Sequence, residues 1–151
     1  GRQEQVLDGG ADNDSLYGDA DNVAPENHGA DCIDGGSGNN LIGGYGGNDT
    51  IYAAEGNDTI TGGAGDDYID AGDGANMIWG GADNDEIYGG KDNDTIQGDA
   101  GNDFISGGAG DNTLWGGEGN DTLYGGGGDD VLFGDNGMIL LDEDGQIDQL
   151  L

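Results

Sequence analysis

The sequence predicts an all-β fold, a right-handed parallel β-roll: a solenoid of two short-stranded parallel sheets with about eighteen residues per coil. Three observations carry this. An aliphatic residue recurs every nine positions, an Asp or Asn recurs two positions before it, and glycine, 37 of 151 residues, fills much of the remainder.

Written in nines from Gly9, the rows align as GGADNDSLY, GGAGDDYID, GGADNDEIY, GGKDNDTIQ, GDAGNDFIS, GGAGDNTLW, GGEGNDTLY and GGGGDDVLF, which defines slots one to nine. Slot eight holds Leu7, Leu16, Ile33, Ile42, Ile51, Ile60, Ile69, Ile78, Ile87, Ile96, Ile105, Leu114, Leu123, Leu132 and Leu141. Every step is nine except the seventeen from Leu16 to Ile33. One row there reads as a residue short and carries the only proline, Pro25, in an irregular loop near 19–28. Slots one, two and four are mostly glycine, and slot five favours Asn or Asp, residues that accept positive φ and tight turns. Slots seven to nine are β-formers, and the two-residue strand period sets slot eight on one face with seven and nine on the other.

Each nonapeptide therefore reads as a six-residue turn followed by a three-residue strand. A strand that short buries no face alone, so consecutive units must stack. Two units close one coil, and the slot-eight aliphatics meet between the two sheets. The boundaries that follow are an N-terminal edge at 1–8, the repeat at 9–142, and a cap or linker at 143–151. The segment DEDGQID near the end has an EF-hand flavour without the full twelve-residue loop.

Composition excludes several functions. With 33 Asp and Glu against 2 Lys and Arg, the formal net charge is −31, which argues against nucleic acid and against anionic membranes as partners. No apolar run reaches a membrane span and Gly1 opens no signal peptide, so the chain reads as a mature protein or a piece of a larger one. A single Cys32 excludes an internal disulfide, and no Cys/His cluster offers a zinc site. His28 and Cys32 lie four residues apart with no orienting partner, and Lys91 precedes Asp92 where a P-loop needs Ser or Thr. No enzymatic activity is expected.

The consensus G-G-x-G-x-D-x-U-x over Gly9 to Asp142 resembles the RTX (repeats-in-toxin) family of calcium-binding nonapeptide repeats. The resemblance implies a secreted, extracellular bacterial protein. It also implies export through type I secretion before folding, and calcium ligands drawn from the slot-six acids and the glycine-loop carbonyls. The spacing suits that chemistry. Ca²⁺ takes six to eight oxygens, and loops stacked about 4.8 Å apart set each ion between two turns.

The candidate ligands are the slot-six residues. One edge of the roll takes Asp14, Asp31, Asp49, Asp67, Asp85, Asp103 and Asp121; the other alternates Asn40, Asp58, Asn76, Asp94, Asn112 and Asp130. Six gaps and five give at most eleven Ca²⁺, which would bring −31 to −9. Every site on the mixed edge has one slot-six carboxylate and so a lower expected affinity. Stacked acids without a cation repel, so the metal-free chain is expected to be unfolded and metal binding to supply folding free energy. The expected role is a scaffold or secretion-folding module of a larger secreted protein.

A longer repeat overlies the short one. Asn40, Asn76 and Asn112 are 36 apart, as are Tyr52, Tyr88 and Tyr124, and Trp79 and Trp115. At slot nine these aromatics point outward, with Tyr17, Tyr52, Tyr88 and Tyr124 expected on one sheet and Trp79, Trp115 and Phe133 on the other. Such a face either shields neighbouring strands or serves contact. The alternatives are thus self-association in a surface layer, filament or adhesin, or binding of polysaccharide or ice.

Overall fold

The computed structural model describes residues 4–19 and 28–134, with the backbone of 138–140 and 149–150. Among the described residues all regular structure is strand, numbered β1 to β16 in chain order, and no helix is long and apolar enough to cross a membrane. One parallel sheet comprises β1 (Val6–Asp8), β3 (Cys32–Asp34), β5 (Thr50–Tyr52), β7 (Tyr68–Asp70), β9 (Glu86–Lys91), β11 (Phe104–Ala109), β13 (Thr122–Gly127) and β15 (Met138–Leu140). The other comprises β2 (Ser15–Tyr17), β4 (Leu41–Gly46), β6 (Thr59–Ala64), β8 (Met77–Ala82), β10 (Thr95–Ala100), β12 (Thr113–Glu118), β14 (Val131–Phe133) and β16 (Gln149–Leu150). Odd and even strands never mix, which is the two-sheet solenoid the nonapeptide period predicts.

The core is the slot-eight register. Ile51 pairs with Ile69 and Ile69 with Ile87 in one sheet, while Ile60 pairs with Ile78 and Ile78 with Ile96 in the other. Ile33 through Leu123 in this slot are at most 1% exposed, Leu132 is 5% exposed, and Leu7 and Leu16 pack against the cluster from the open first coil. Each coil thus contributes one aliphatic from each sheet to a dry column, and stability comes from neighbour contacts repeated along it.

The structure corrects three expectations. First, eight of the strands run to six residues, which shortens the turns that follow them, while β1, β2, β3, β5, β7 and β14 keep the expected three. Strands such as β6 and β9 continue into slot three, because side-chain-free glycines let the ladder run on, as in Gly63 with Gly81. After those strands only slots four to six form the loop proper.

Second, the irregular row is not a short one. Leu7 pairs with Ile33 and Leu16 with Ile42, so the partners stand 26 apart where later coils use 18. Leu16 and Ile33 lie in opposite sheets, and the stretch between them is one half-coil carrying eight extra residues. Gly18 and Asp19 hold slots one and two, and His28 resumes at slot three; 20–27, with Pro25, fall outside the described residues. Seventeen residues imitate two rows while building one.

Third, Leu123 pairs with Ile139, so Ile139 takes the register place that periodicity assigned to Leu141. Leu132 then pairs with Leu150, within the stretch read as cap or linker. Leu141 and the DEDGQID segment lie outside the described residues.

The inserted eight residues also move Tyr17. It pairs with Gly43 on the second sheet, where its ring lies 5.8 Å from that of Tyr45. On the first sheet the rings of Tyr52, Tyr68, Tyr88, Phe104 and Tyr124 form one track, with centroids 5.8, 5.8, 5.8 and 5.4 Å apart. Tyr68 and Phe104 come from slot seven, so the track zigzags between diagonal neighbours on adjacent strands. The 36-residue pattern showed only its slot-nine half. On the second sheet Trp115 stacks on Phe133 at 5.2 Å, while Gln97 stands between Trp79 and Trp115 in the ladder.

Candidate metal centres

The two oxygens of each slot-six acid have different surroundings. One oxygen, Oδ1, accepts a backbone N–H from the slot-six residue one coil earlier. Asp31 donates to Asp49 at 2.7 Å, Asp49 to Asp67 at 2.8 Å, and Asp67 to Asp85, Asp85 to Asp103 and Asp103 to Asp121 at 2.9 Å. On the other edge Asp14 donates to Asn40 at 3.0 Å, Asn40 to Asp58 at 2.7 Å, Asp58 to Asn76 at 2.9 Å, Asn76 to Asp94 at 2.8 Å, Asp94 to Asn112 at 2.9 Å and Asn112 to Asp130 at 2.8 Å.

These bonds correct the expected edges. Asp14 stacks on Asn40, not on Asp31, because the eight extra residues move its loop to the mixed edge. The all-acid edge begins where Gln5 donates to Asp31 at 2.7 Å. The edges then hold six and seven loops, and the five and six gaps between them again total eleven.

The second oxygen is the chemically telling one. In Asp14, Asp31, Asp49, Asp58, Asp67, Asp85, Asp94, Asp103 and Asp121 the Oδ2 is buried and accepts no hydrogen bond. Except at Asp58, where slot one is Ala53, it sits in a cradle that a slot-one glycine leaves open. A Cβ on Gly80 would lie 2.5 Å from Asp85 Oδ2 and 2.8 Å from the Gly98 carbonyl oxygen; one on Gly89 would lie 2.5 Å from Asp94 Oδ2 and 2.6 Å from the Gly107 carbonyl oxygen. Carboxylate and carbonyl oxygens thus border the same small space, and the Oδ2 takes no hydrogen bond there. A buried negative oxygen among acceptors needs a proton or a cation.

The titration behaviour agrees. Burial pushes the Asp49 and Asp103 carboxyls up to about 6, Asp67 and Asp94 up to about 7, and Asp85 up to about 8. Burial also raises Asp31 and Asp58. The backbone N–H on Oδ1 opposes the rise in each case. Neighbouring acids of the same edge add to it, as Asp67 does for Asp85.

Slot five has a role that composition concealed. Its side-chain oxygens accept N–H groups from the following coil, the reverse direction: Asn57 donates to Asn39 at 2.8 Å, Asn84 to Asp66 at 2.9 Å and Asn102 to Asn84 at 2.9 Å. Loops that follow an Asn or Asp at slot five are therefore tied forward through slot six and backward through slot five. Reading slot five as turn-forming residues missed this; the signal was that Asn, with a side-chain acceptor, outnumbers Gly there.

The donor set is all oxygen. Among the described residues no group of three or more His, Cys, Asp or Glu side chains converges. A cation would instead draw on single carboxylates plus loop carbonyls from two coils. That chemistry fits hard Ca²⁺ and not zinc. Cys32 is exposed at the start of β3, while His28 Nδ1 stands 3.7 Å from Asp19 Oδ2 at the base of the inserted segment.

Slot one tests the cradle. On the acid edge it is Gly at 18, 44, 62, 80, 98 and 116, whereas the mixed edge includes Ala53 and Ala71. Gly80→Ala would drive a methyl group into Asp85 Oδ2 and the Gly98 carbonyl, and Ile87 Cδ1 lies 3.0 Å away. The expected outcome is a loss of about 1–3 kcal/mol in unfolding of the loaded protein, read by chemical denaturation at fixed calcium.

Comparison with known families is consistent with this geometry. The family model of the RTX calcium-binding nonapeptide repeat, which spans four copies, matches residues 5–22, 27–42, 43–78, 70–105, 79–114 and 106–137. The break after residue 22 falls within the inserted segment. No curated protein matches the chain.

Proposed function

The chain belongs to the RTX calcium-binding nonapeptide-repeat family, and from that premise we propose that it is an extracellular calcium-loaded scaffold that folds as the ion enters. The observation that carries this is the buried, unpartnered Oδ2 that recurs at slot six and faces loop carbonyls. The proposed ligands are Asp14, Asp31, Asp49, Asp58, Asp67, Asp85, Asp94, Asp103, Asp121 and Asp130, with Asn40, Asn76 and Asn112 completing the loops of the mixed edge. Calcium bound between stacked loops neutralises the charge that otherwise opposes coil closure, so metal binding and folding are one equilibrium. Secretion follows the same physics: the chain stays extended where Ca²⁺ is scarce and winds where it is abundant. The module performs no catalysis in this reading. Far-ultraviolet circular dichroism during a Ca²⁺ titration, with EGTA and Mg²⁺ controls, tests it.

A second reading, lateral association of two rolls, is favoured by the five-ring track on the first sheet. The rings tilt against one another by 46–54°, which suits a packed protein contact better than a flat platform for sugar stacking. The outcome expected here is a calcium-dependent dimer or larger species that Tyr52→Ser with Tyr88→Ser returns to monomer in sedimentation velocity. Trp79→Ser with Trp115→Ser serves as the comparison on the opposite sheet. Identical sedimentation of wild type and the tyrosine variant would end this reading.

A further inference from the structure

On the mixed edge the amide nitrogens of Asn40 and Asn112 occupy the place that the unpartnered oxygen holds in the aspartates. The amide of Asn112 sends Nδ2 to the Gly110 carbonyl at 3.1 Å and to the Gly125 carbonyl of the next coil at 3.4 Å. A Cβ on Gly107 would lie 2.8 Å from that Nδ2 and 2.6 Å from the Gly125 oxygen, the same cradle that holds Asp94 Oδ2 beside Gly89. Asn76 sends Nδ2 to the Gly74 carbonyl at 2.9 Å. The orientation is forced, because Oδ1 of each amide accepts the N–H of Asp58 or Asp94, leaving only the NH₂ group to face the carbonyls.

We propose that Asn76 and Asn112 are built-in substitutes for calcium: their amides donate to the loop carbonyls that a cation would otherwise collect, and the gaps they govern take no ion. The proposal rests on the calcium-binding reading above and narrows it. The Asn112 amide spans the gap to the loop of Asp130, and the Asn76 amide takes up the Gly74 carbonyl of its own loop, on the gap facing Asp94; with both gaps closed to the ion, the ceiling falls from eleven ions to nine. Asn40 differs, since its Nδ2 reaches the cradle of Gly35 at 3.0 Å yet makes no hydrogen bond. It is therefore left out of the proposal. A buried amide nitrogen that donates to a loop carbonyl needs no counter-charge, whereas a carboxylate oxygen in its place does. The mixed edge thus needs fewer ions than the acid edge to close its coils.

The test is calcium stoichiometry by equilibrium dialysis with metal analysis of the whole chain. Asn112→Asp is expected to add one ion per chain, and Asn76→Asp with Asn112→Asp to add two. Asp94→Asn, the reverse exchange in an equivalent cradle, is expected to remove one and leave the remaining sites filled. Both exchanges keep a residue that occurs naturally at slot six. Calcium uptake unchanged in the Asn→Asp variants, or a wild-type count above nine, would overturn the substitution while leaving the calcium reading intact. No uptake by the wild type would overturn both.

Discussion

Withdrawing calcium at neutral pH is expected to abolish the β-sheet signal of this protein, and returning it to restore that signal in one cooperative step. The all-acid edge explains the size of the effect. Six slot-six carboxylates, from Asp31 to Asp121, stack coil on coil with each Oδ2 buried, inside a chain of net charge −31. Winding the metal-free chain brings like charges together and strips them of water, while the core that repays this is one aliphatic per nine residues. Each calcium that binds only the wound form contributes about 2.7 kcal/mol when free ion exceeds its dissociation constant a hundredfold. Several such sites exceed the whole stability of an ordinary domain. Mg²⁺ should fail at matched concentration, because it demands a tight octahedron and keeps its water, whereas these loops supply carbonyls from two coils. Circular dichroism in EGTA is the measurement. A sheet spectrum that persists without calcium would refute metal-coupled folding.

The second large effect is an inversion of pH dependence. In the metal-free chain the wound-state carboxyls of Asp49, Asp67, Asp85, Asp94 and Asp103 titrate between about 6 and about 8, against 3.8 for the ordinary group. The wound state therefore holds more protons than the unwound state across that window. Its stability falls as pH rises from near 4 to near 8 and is greatest where the acids are neutral on both sides of the equilibrium. Acidification alone should then induce β structure in EGTA. With calcium present the sign reverses, since the ion binds only ionised carboxylates and protons displace it as pH falls through the same window. Paired pH titrations by circular dichroism, with and without calcium, should give opposite slopes. Parallel slopes would mean that the Oδ2 cradles hold neither proton nor metal.

Much of this protein is legible one nonapeptide at a time. The slot-eight aliphatics form the dry column, slot six lines the loops, and alternate units go to opposite sheets, because strand period and turn preference act within a few residues. The misread places share a cause. Counting nines across a stretch of seventeen residues misplaces Asp14 and Tyr17, because an eight-residue insertion in one turn has nearly the length of a whole row. Tyr68 and Phe104 stayed hidden because the zigzag joins slot seven of one strand to slot nine of the next, a relation between coils.

What the sequence by itself determined is the period, the core and the identity of the oxygen-bearing residues, all set by local chain stereochemistry repeated along the chain. What only the tertiary structure decided is which loops stack, which oxygen of each acid takes a backbone N–H, and which is left facing carbonyls. Those outcomes depend on atoms eighteen residues apart meeting across a coil closure. There Asp and Asn, nearly the same size and shape, part company: one leaves a buried acceptor that calls for positive charge, and the other supplies its own donor.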